Sequence, residues 1–320
     1  MKLKEIDYKL LNYLYHNHNE PVSKIAKATK ISRDKVEYRI NKYQKSGLIK
    51  QFIPIINYSK LGYSKQILLL LKFETTNMAK EFAKELKKSK NCLSYGFIFE
   101  KFDLYINEIF KNQEDLTIFM TKIFEDKENI ISEYLLIEPT FAELYPLKFL
   151  DNREKENYQL NKNEDKKIKI DETDLKILKI LSKNGRIKLL DIALKLDMKS
   201  TTIFYRLKKL RENKIILGNR IQFSNEKLKY NYTIILINLK RTNNETKEKI
   251  KHFTRQSKNT NSLILNLHEP NAMIQFFYEK EQELRVEIKK LKKVFENEQI
   301  KIELMHINEE EYINSLPFIK

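Results

Sequence analysis

Two short stretches of this sequence carry side chains that suit contact with nucleic-acid bases and phosphates. In each stretch, apolar residues recur at helical spacing, and the positions between them are basic, amide, hydroxyl or tyrosine. Arg and Lys suit guanine O6 and N7 or phosphate, whereas Asn suits adenine N6 and N7. The outward positions are Arg33, Lys35, Tyr38, Asn41 and Lys42 in the first stretch, and Ser200, Thr201, Thr202, Tyr205, Lys208 and Lys209 in the second. The second set is less able to form bidentate contacts, so the two stretches should prefer different half-sites.

Two arginines lie beside these outward positions, at the flank of each buried stripe. They are Arg39 and Arg206. At the flank, a phosphate contact or an ion pair within the domain is more plausible than base reading. For any single outward residue, an ordinary solvated helix face explains the sequence equally well, but the set as a whole favours a binding face.

The two stretches correspond because the chain contains two copies of one plan. Residues 7–63 reappear as residues 174–230 at a constant offset of 167 positions, and 14 of the 57 positions are identical. The identical positions follow one helical period, which favours duplication over a coincidence of composition. The copied unit is longer than a solenoid repeat of about 20 to 50 residues, so it indicates a duplicated module rather than a stacking array.

Positive charge is concentrated in the copied segments. Residues 1–63 hold 13 Lys and Arg against 5 Asp and Glu, a net charge of +8, and residues 166–230 hold 18 against 7, a net charge of +11. Since the whole chain carries +17, the remainder carries −2. A general lysine bias would not leave that remainder slightly acidic. The pattern indicates a polyanionic partner that both segments engage.

The spacing of apolar residues predicts a helix-turn-helix in each copy. Asp7 and Asp174 each precede an apolar helical pattern, and we expect them to be the N-caps of the first helices. A short second helix follows, and a third helix is predicted over about residues 32–46 and 200–213. Three short helices with a brief connection between the second and the third are typical of a helix-turn-helix.

The segments after these helices predict wings. Residues 48–57 and 215–223 mix β-branched and polar residues, and each resembles the two-stranded wing of a winged helix. Gly47 can end the first recognition helix in a left-handed conformation. The second copy has Lys214 at this position, so we expect its helix to end differently, near Asn213.

The rest of each copy alternates strands and helices in the order βαββαβ, the ferredoxin-like arrangement. Such a sheet carries helices on one face, so we expect a second copy to cover the other. The fold class is therefore α+β, a tandem repeat of winged helix-turn-helix and ferredoxin-like domains. The predicted boundaries are a first helix-turn-helix over residues 1–63, a first ferredoxin-like domain over 64–150, a polar linker over 151–167, a second helix-turn-helix over 168–230 and a second ferredoxin-like domain over 231–320.

These patterns resemble the leucine-responsive/asparagine-synthase regulator family of transcription factors. The resemblance is closest over residues 32–49 (SRDKVEYRINKYQKSGLI) and 58–63 (YSKLGY), and it recurs over 200–216 (STTIFYRLKKLRENKII) and 228–230. It implies a sequence-specific regulator that binds double-stranded DNA. Family members usually carry one unit per chain and dimerise through the sheet domain. This chain carries two units, so it implies a pseudo-dimer within one chain, or a homodimer.

The loop that binds effectors in the family departs from its usual Gly-x-x-Asp pattern. Aligned on Asp103, the glycine position holds Glu100, and the second copy has His268 and Asn271 at these two positions. Loss of the glycine removes an option for positive φ and adds bulk where a ligand would approach the backbone. These differences argue against a small-molecule effector such as an amino acid, more strongly in the second copy.

Composition excludes several classes of protein. The one cysteine, Cys92, rules out an internal disulfide framework, and no Cys/His spacing suggests a metal site. The longest apolar run, near residues 67–71, is far below the roughly 18 residues that span a bilayer. No cofactor motif is visible. We therefore expect a cytoplasmic protein that is not an enzyme, with no membrane partner.

Two other functions stay open. The sirohaem decarboxylases share this fold and use His and Arg in the sheet domain, but the five histidines look like surface or core residues; they are His16, His18, His252, His268 and His306. An architectural DNA-binding protein of low specificity fits the charge pattern as well as a regulator does. The ratio of specific to non-specific affinity separates these two DNA-binding functions.

Overall fold

The computed structural model describes residues 3–127, 130–148, 157–160 and 168–319. The first copy contains α1 (Glu5–Asn17), α2 (Val22–Thr29), α3 (Arg33–Lys45), β1 (Ile49–Ile56), β2 (Lys65–Phe73), α4 (Thr76–Leu86), β3 (Cys92–Phe99), β4 (Leu104–Phe110), α5 (Gln113–Lys127), β5 (Ile131–Ile137) and β6 (Phe141–Leu144). The strand β7 (Tyr158–Gln159) precedes the second copy. The second copy contains α6 (Glu172–Lys183), α7 (Leu189–Leu196), α8 (Ser200–Glu212), β8 (Ile216–Phe223), α9 (Asn225–Leu228), β9 (Asn231–Leu239), α10 (Asn244–Gln256), β10 (Thr260–Leu265), β11 (Ala272–Tyr278), α11 (Glu281–Val294) and β12 (Ile300–Ile313).

The chain divides into two compact units, and each unit combines matching segments of both copies. The head unit consists of the described parts of residues 1–61, 166–229 and 319–320, with the two helix-turn-helix segments. The sheet unit consists of the described parts of residues 62–165 and 230–318, with the two βαββαβ segments.

The first helix of each copy begins before the predicted aspartate. Lys4 is the N-cap of α1, and Asp7 is the third residue of the helix, where its carboxylate accepts from the backbone N–H of Lys4 at 2.8 Å. In α6 the N-cap is Asp171, whose side chain accepts from the N–H of Asp174 at 2.8 Å. The predicted N-caps were therefore wrong, because each helix begins one turn before its first buried leucine or isoleucine.

Both recognition helices are followed by a left-handed residue. Gly47 has φ +71, as the sequence predicts. In the second copy the helix ends near Asn213 as predicted, with Asn213 as its C-cap, but Lys214 itself adopts φ +54, so the expectation of a different kind of ending was wrong. The N–H of Lys214 donates to Arg211 O and the N–H of Ile215 donates to Leu210 O, at 2.8 and 2.9 Å. These bonds satisfy carbonyls at the helix end and offset a left-handed strain of about 1 kcal/mol.

The two-stranded wing predicted for each copy is replaced by one strand from each copy. Strand β1 pairs antiparallel with β8 in a two-stranded sheet, and Ile53 lies opposite Arg220, its equivalent in the other copy. The prediction failed because β1 leads into a 3-10 turn at Ser59–Leu61 and β8 leads into α9, so the described segments next to these strands are helical. The strand partner is therefore the other copy.

The head unit is held together by pseudo-symmetric contacts. The N–H of Asn57 donates to Ile215 O at 2.9 Å, and the equivalent N–H of Ser224 donates to Leu48 O at 3.0 Å. Helix α1 packs on β8 and helix α6 packs on β1. Because the same surface of each copy contacts the other, the arrangement is an isologous pair within one chain.

The sheet unit confirms the ferredoxin-like prediction. Strand order in the first copy is β5-β2-β4-β3 and in the second β12-β9-β11-β10, so the two copies share one order. Strand β3 also pairs with the end of β12, and β10 pairs with β6. The end of each copy therefore pairs with the other copy, through β12 in the second copy and through β6, which follows β5, in the first.

The strands of the sheet unit form one continuous ten-stranded sheet. Its two four-stranded halves, one from each copy and called the two sheets below, cover each other as predicted, within one chain. Strand β2 has a period of two: Leu69 and Leu71 face a core with α4 and α5, whereas Leu68 and Leu70 face a core shared with the second copy. That shared core includes Ile234 of β9. Each sheet thus has helices on one face and the other sheet on the opposite face.

Most of the predicted linker, residues 151–156 and 161–167, lies outside the described residues. Its described part, residues 157–160, includes β7, which pairs with β6. Among the described helices, none has the length and apolar character needed to cross a bilayer.

Candidate nucleic-acid interface

Helix α3 presents a polar face opposite its core contacts. Val36, Ile40 and Tyr43 are buried, and they fix the orientation of the helix. The exposed predicted residues are Arg33, Lys35, Tyr38, Asn41 and Lys42. The structure thus brings the five outward residues of the first copy to one helix, with Tyr38 65% exposed. This face offers cationic groups for phosphates and one amide with both donor and acceptor for a base edge.

Helix α8 has the same buried stripe and a different outward face. Ile203, Leu207 and Leu210 are buried. The exposed predicted residues are Thr201, Tyr205, Lys208 and Lys209, with Ser200 and Thr202 half-buried. The Tyr205 ring packs edge-on against Phe204, with ring centroids 5.6 Å apart. Lys208 lies 3.7 Å from the carboxylate of Glu212, which further reduces its availability for a base.

Arg39 contacts the first helix rather than the outward face. Its guanidinium donates to the Asp7 carboxylate, which also accepts from the Tyr43 hydroxyl at 2.6 Å. Burial alone would raise the pKa of Asp7, but the hydrogen bonds from Tyr43 and Lys4 and the charge of Arg39 outweigh burial and lower it. The pair ties the recognition helix to α1.

Arg206 makes the equivalent contact in the second copy. Its guanidinium donates to Asp171 at 2.6 Å and to Asp174 at 2.9 Å. The hydrogen bond from the Asp174 backbone and then that from Arg206 lower the pKa of Asp171. Here two carboxylates share one guanidinium, and Asp171 is half-exposed. The ion-pair alternative considered for both arginines is the geometry observed, and it orients the recognition helix.

The two copies contact each other in the head unit around His18, Phe52 and Gly185, and we call this contact the seam. Equivalent positions there carry side chains of very different size. His18 is fully buried, and its ring centroid lies 4.9 Å from that of Phe52. The equivalent position in the second copy is Gly185, whose N–H donates to Phe52 O at 3.0 Å. A Cβ at Gly185 would lie 2.9 Å from Phe52 O and 3.1 Å from His18 Nε2. One copy therefore supplies an imidazole where the other supplies no side chain. Sequence reasoning missed this contact, although the His and Gly at equivalent positions were a visible signal.

Comparison with known proteins agrees with the helix-turn-helix geometry. A family model described as winged helix-turn-helix DNA-binding matches residues 3–50 and 170–216, one region in each copy. The chain therefore carries a winged helix-turn-helix region in each copy and is a tandem winged helix-turn-helix protein.

Two regulators of Pyrococcus abyssi resemble parts of this tandem protein. An uncharacterised HTH-type transcriptional regulator is 39% identical over 67 residues, which are 21% of this chain and 46% of that protein. The HTH-type transcriptional regulator FL11 is 29% identical over 123 residues, which are 38% of this chain and 81% of that protein. The tandem protein thus matches about half the length of the first of these relatives.

One solved structure matches the tandem protein over almost its whole length. The siroheme decarboxylase NirDL superposes with a TM-score of 0.62 at 15% identity, covering 99% of this chain and 95% of that chain. NirDL has also been crystallised with an iron-uroporphyrin III analogue. At this identity, the match shows a shared fold.

The second head of the tandem protein also exposes apolar side chains. Leu190 and Leu194 on α7 are 59% and 73% exposed, and Phe204 on α8 is 54% exposed. The equivalent residues in the first copy are Ser23, Lys27 and Glu37. Apolar groups can contact thymine methyls but cannot form hydrogen bonds to bases. These substitutions are therefore a second reason to expect that the two heads prefer different half-sites.

The loop between β3 and β4 keeps a positive φ without a glycine. Glu100 has φ +102, so the expected loss of this conformation was wrong. Its carboxylate lies 2.9 Å from Nδ1 of His306 on β12. A positive φ at a residue other than glycine costs about 1 to 3 kcal/mol, which the contact with His306 helps to offset.

The described histidines lie in unrelated environments. His18 is buried at the seam, His306 faces Glu100, and His252 and His268 are exposed on α10 and on the turn after β10. Within the described part of the chain, no group of three or more His, Cys, Asp or Glu side chains could hold a metal ion.

A cavity of about 60 Å³ lies between the two sheets. Its walls come from both copies, with Leu68 and Tyr105 from the first and Ile234 and Met273 from the second. Sequence reasoning did not predict it, because it exists only where the two sheets meet.

Proposed function

We propose that this tandem protein is a sequence-specific regulator of transcription that binds double-stranded DNA through both heads. The observation that carries the proposal is the outward face of α3, where Arg33, Lys35, Asn41 and Lys42 are all exposed on one helix. The first head reads bases through Asn41 and its basic neighbours. The second head contributes phosphate contacts through Lys208 and Lys209 and a weaker preference for sequence.

The two heads bind one DNA site together, at a fixed spacing. Pairing of β1 with β8 supports a fixed spacing between the recognition helices, so the spacing of half-sites does not depend on the linker. We propose that the helices enter adjacent major grooves, which requires half-sites about 10 to 10.5 base pairs apart. The operator is a non-palindromic double site, because the two outward faces differ.

Selection from a random DNA pool tests this function. We expect two unlike half-sites about one turn apart, and an affinity at least about 10³-fold above that for scrambled DNA. Inserting five base pairs between the half-sites should reduce affinity to that of one head. Inserting ten base pairs keeps the helical phase but adds about 34 Å, so it should not restore affinity if the paired strands fix the spacing. Absence of a preferred sequence would contradict the proposal.

The architectural alternative is distinguished by salt dependence. Phosphate contacts give a steep fall of affinity with salt whatever the sequence. If the selected and scrambled DNAs show the same affinity and the same salt slope, the protein is architectural. A shallower slope for the selected site, with tighter binding, supports base reading.

The full-length fold match to NirDL favours one enzymatic alternative, a decarboxylase acting on a large macrocycle. The cavity between the sheets does not by itself accommodate such a substrate, because about 60 Å³ is well below the roughly 300 to 1,000 Å³ of typical small-molecule sites. We propose a non-enzymatic role in the cytoplasm, on the basis of the outward face of α3. Incubation with sirohaem under reducing conditions, followed by mass analysis, tests the alternative; loss of carbon dioxide from sirohaem would establish it.

A further inference from the structure

The cavity between the sheets lies on the pseudo-twofold axis of the sheet unit. Ser94 and Ser262, which line it, are 168 positions apart, and so are Asn107 and Gln275. Each pair occupies equivalent positions on β3 and β10 or on β4 and β11. The two copies therefore place matching polar groups on opposite walls of one space.

Several of these polar groups lack protein partners. Ser94 and Ser262 are 4% and 7% exposed, and their hydroxyls make no hydrogen bond to other described residues. The amide of Gln275 also makes none within the described chain. Gln66 donates to Asn107 at 3.0 Å, which leaves further donors and acceptors on both amides. The three amide residues, Gln66, Asn107 and Gln275, are half-buried, so the cavity offers polar groups that a small molecule can reach and pair with.

The walls also restrict the charge of that molecule. The described residues that line the cavity include no Asp, Glu, Lys, Arg or His. An ion would lose its hydration there without a counter-charge. The amides and hydroxyls instead offer both donors and acceptors, which match a carboxamide or a urea.

We propose that this cavity is a binding site for a small uncharged molecule that both donates and accepts hydrogen bonds, such as a carboxamide. At about 60 Å³ it holds about four to six non-hydrogen atoms. The site does not depend on DNA binding, since its walls belong to the sheet unit.

Acetamide and acetate are matched probes, because they have the same shape and differ in charge. Calorimetric titration of the full chain should show one acetamide site per chain and at least tenfold weaker binding of acetate. Four non-hydrogen atoms set a limit of about 40 µM on the dissociation constant. A crystal soaked in acetamide should show the amide between the two serine hydroxyls. Equal binding of both probes, or density that fits water molecules alone, would overturn the proposal.

Two variants separate a built site from non-specific binding. Gln275→Leu keeps the volume of the wall and removes its amide, so acetamide affinity should fall at least tenfold. Gln256→Leu makes the same change at an exposed position of α10 and should leave affinity unchanged. If Gln275→Leu lowers the melting temperature, Ser262→Val is a second test, because it fills the cavity with a β-branched residue suited to a strand. Unchanged acetamide affinity in both cavity variants would contradict the proposal.

Discussion

The two heads have the same internal structure and different outward faces. Both have three helices, a buried stripe on the recognition helix and an ion pair from that helix to the first helix, Asp7 with Arg39 and Asp174 with Arg206. Outward, the first head presents Arg33 where the second presents Ser200. The comparison teaches that packing constrains the inward positions of both copies, whereas the outward positions respond only to what each head binds.

The seam between the heads shows a second kind of difference. At most equivalent positions both copies face similar surroundings, but His18 and Gly185 meet each other near the pseudo-axis. Two histidines would compete for the same volume, and two glycines would leave a void. One histidine opposite one glycine fills this volume without overlap and without a void. Equivalence is therefore lost where two copies share one volume.

Exchanging the outward faces should have the largest effect. The variant Arg33→Ser, Lys35→Thr and Asn41→Lys gives the first head the residues of the second at these positions. Each lost base contact costs about 1 to 3 kcal/mol, so binding to the selected site should weaken by about 3 to 9 kcal/mol. The net charge of the face falls by one, and the salt slope should fall by about 0.9. Fluorescence anisotropy at two salt concentrations measures both.

The reciprocal variant sharpens this comparison. Ser200→Arg, Thr202→Lys and Lys208→Asn should give the second head the half-site preference of the first, so that selection yields two like half-sites. Lys87 is the exposed residue that directly follows α4, and Lys87→Thr is the control, which should not change site preference. If the exchanged variants select the same operator as the original chain, the outward faces do not read the sequence.

Removing the two guanidiniums should have unequal effects on stability. Arg39→Met leaves the Asp7 carboxylate, which is 6% exposed, without its counter-charge, and we expect a loss of about 2 to 3 kcal/mol. Arg206→Met leaves two carboxylates, that of Asp171, which is 54% exposed, and that of Asp174, which is 12% exposed. Both are more accessible to water than the Asp7 carboxylate, so we expect a smaller loss of about 1 to 2 kcal/mol. Urea unfolding of both variants measures the difference, and equal losses would contradict this explanation.

The pH dependence of stability shows whether the charge of Asp7 causes the stabilisation by the Asp7–Arg39 pair. The pKa of Asp7 is lowered in the folded protein, so its stabilisation is present above the ordinary value of about 3.9 and is lost as the pH falls through the folded value. Asp7→Asn should therefore be less stable than the original chain at pH 7, and the two should converge below about pH 4. A constant gap down to low pH would show that charge is not the cause.

Adding a methyl group at the seam should have an intermediate effect. Gly185→Ala forces a Cβ against Phe52 O and His18 Nε2, and such overpacking costs about 1 to 3 kcal/mol. The double variant with His18→Ala removes one of the two close contacts, so the cost of adding the methyl group should be smaller in that background. Thermal unfolding of the two single variants and the double variant gives the coupling. Full stability of Gly185→Ala would show that the copies are not closely packed here.

The smallest change in stability is expected from a buried carboxyl group that the first sheet domain contains and the second lacks. Glu108 is fully buried in the first copy, near the Ser89 hydroxyl at 3.4 Å, and burial raises its pKa to about 8. Between about pH 4.3 and 8, the unfolded chain is ionised at this position and the folded chain holds the proton, so stability falls as the pH rises. Glu108→Gln should therefore be more stable than the original chain at pH 8, and its stability should not fall over this pH range.

Urea midpoints from pH 5 to 9 measure this slope. The equivalent residue in the second copy is Phe276, which does not ionise, so we expect no pH dependence of stability from that position. Glu114→Gln, at an exposed position of α5, is the matched control and should keep the original slope. Parallel curves for Glu108→Gln and the original chain would contradict a protonated Glu108.

Local patterns in the sequence predicted much of each element. The buried stripes of α3 and α8 follow from apolar residues at helical spacing, and the period of two in β2 gives both of its buried faces. Helix starts were less predictable, since Lys4 rather than Asp7 is the N-cap of α1. A cap depends on where the backbone leaves the helix, and the type of a nearby side chain constrains this only weakly.

The sequence by itself determined the duplication, the order of helices and strands, and the basic outward face, because these depend on residue type and spacing along one segment. The tertiary structure alone decided that β1 pairs with β8, that His18 meets Gly185, and that serines of both copies line one cavity. Those contacts join residues about 167 positions apart. Their free energy depends on both surfaces together, so no pattern within one copy specifies them.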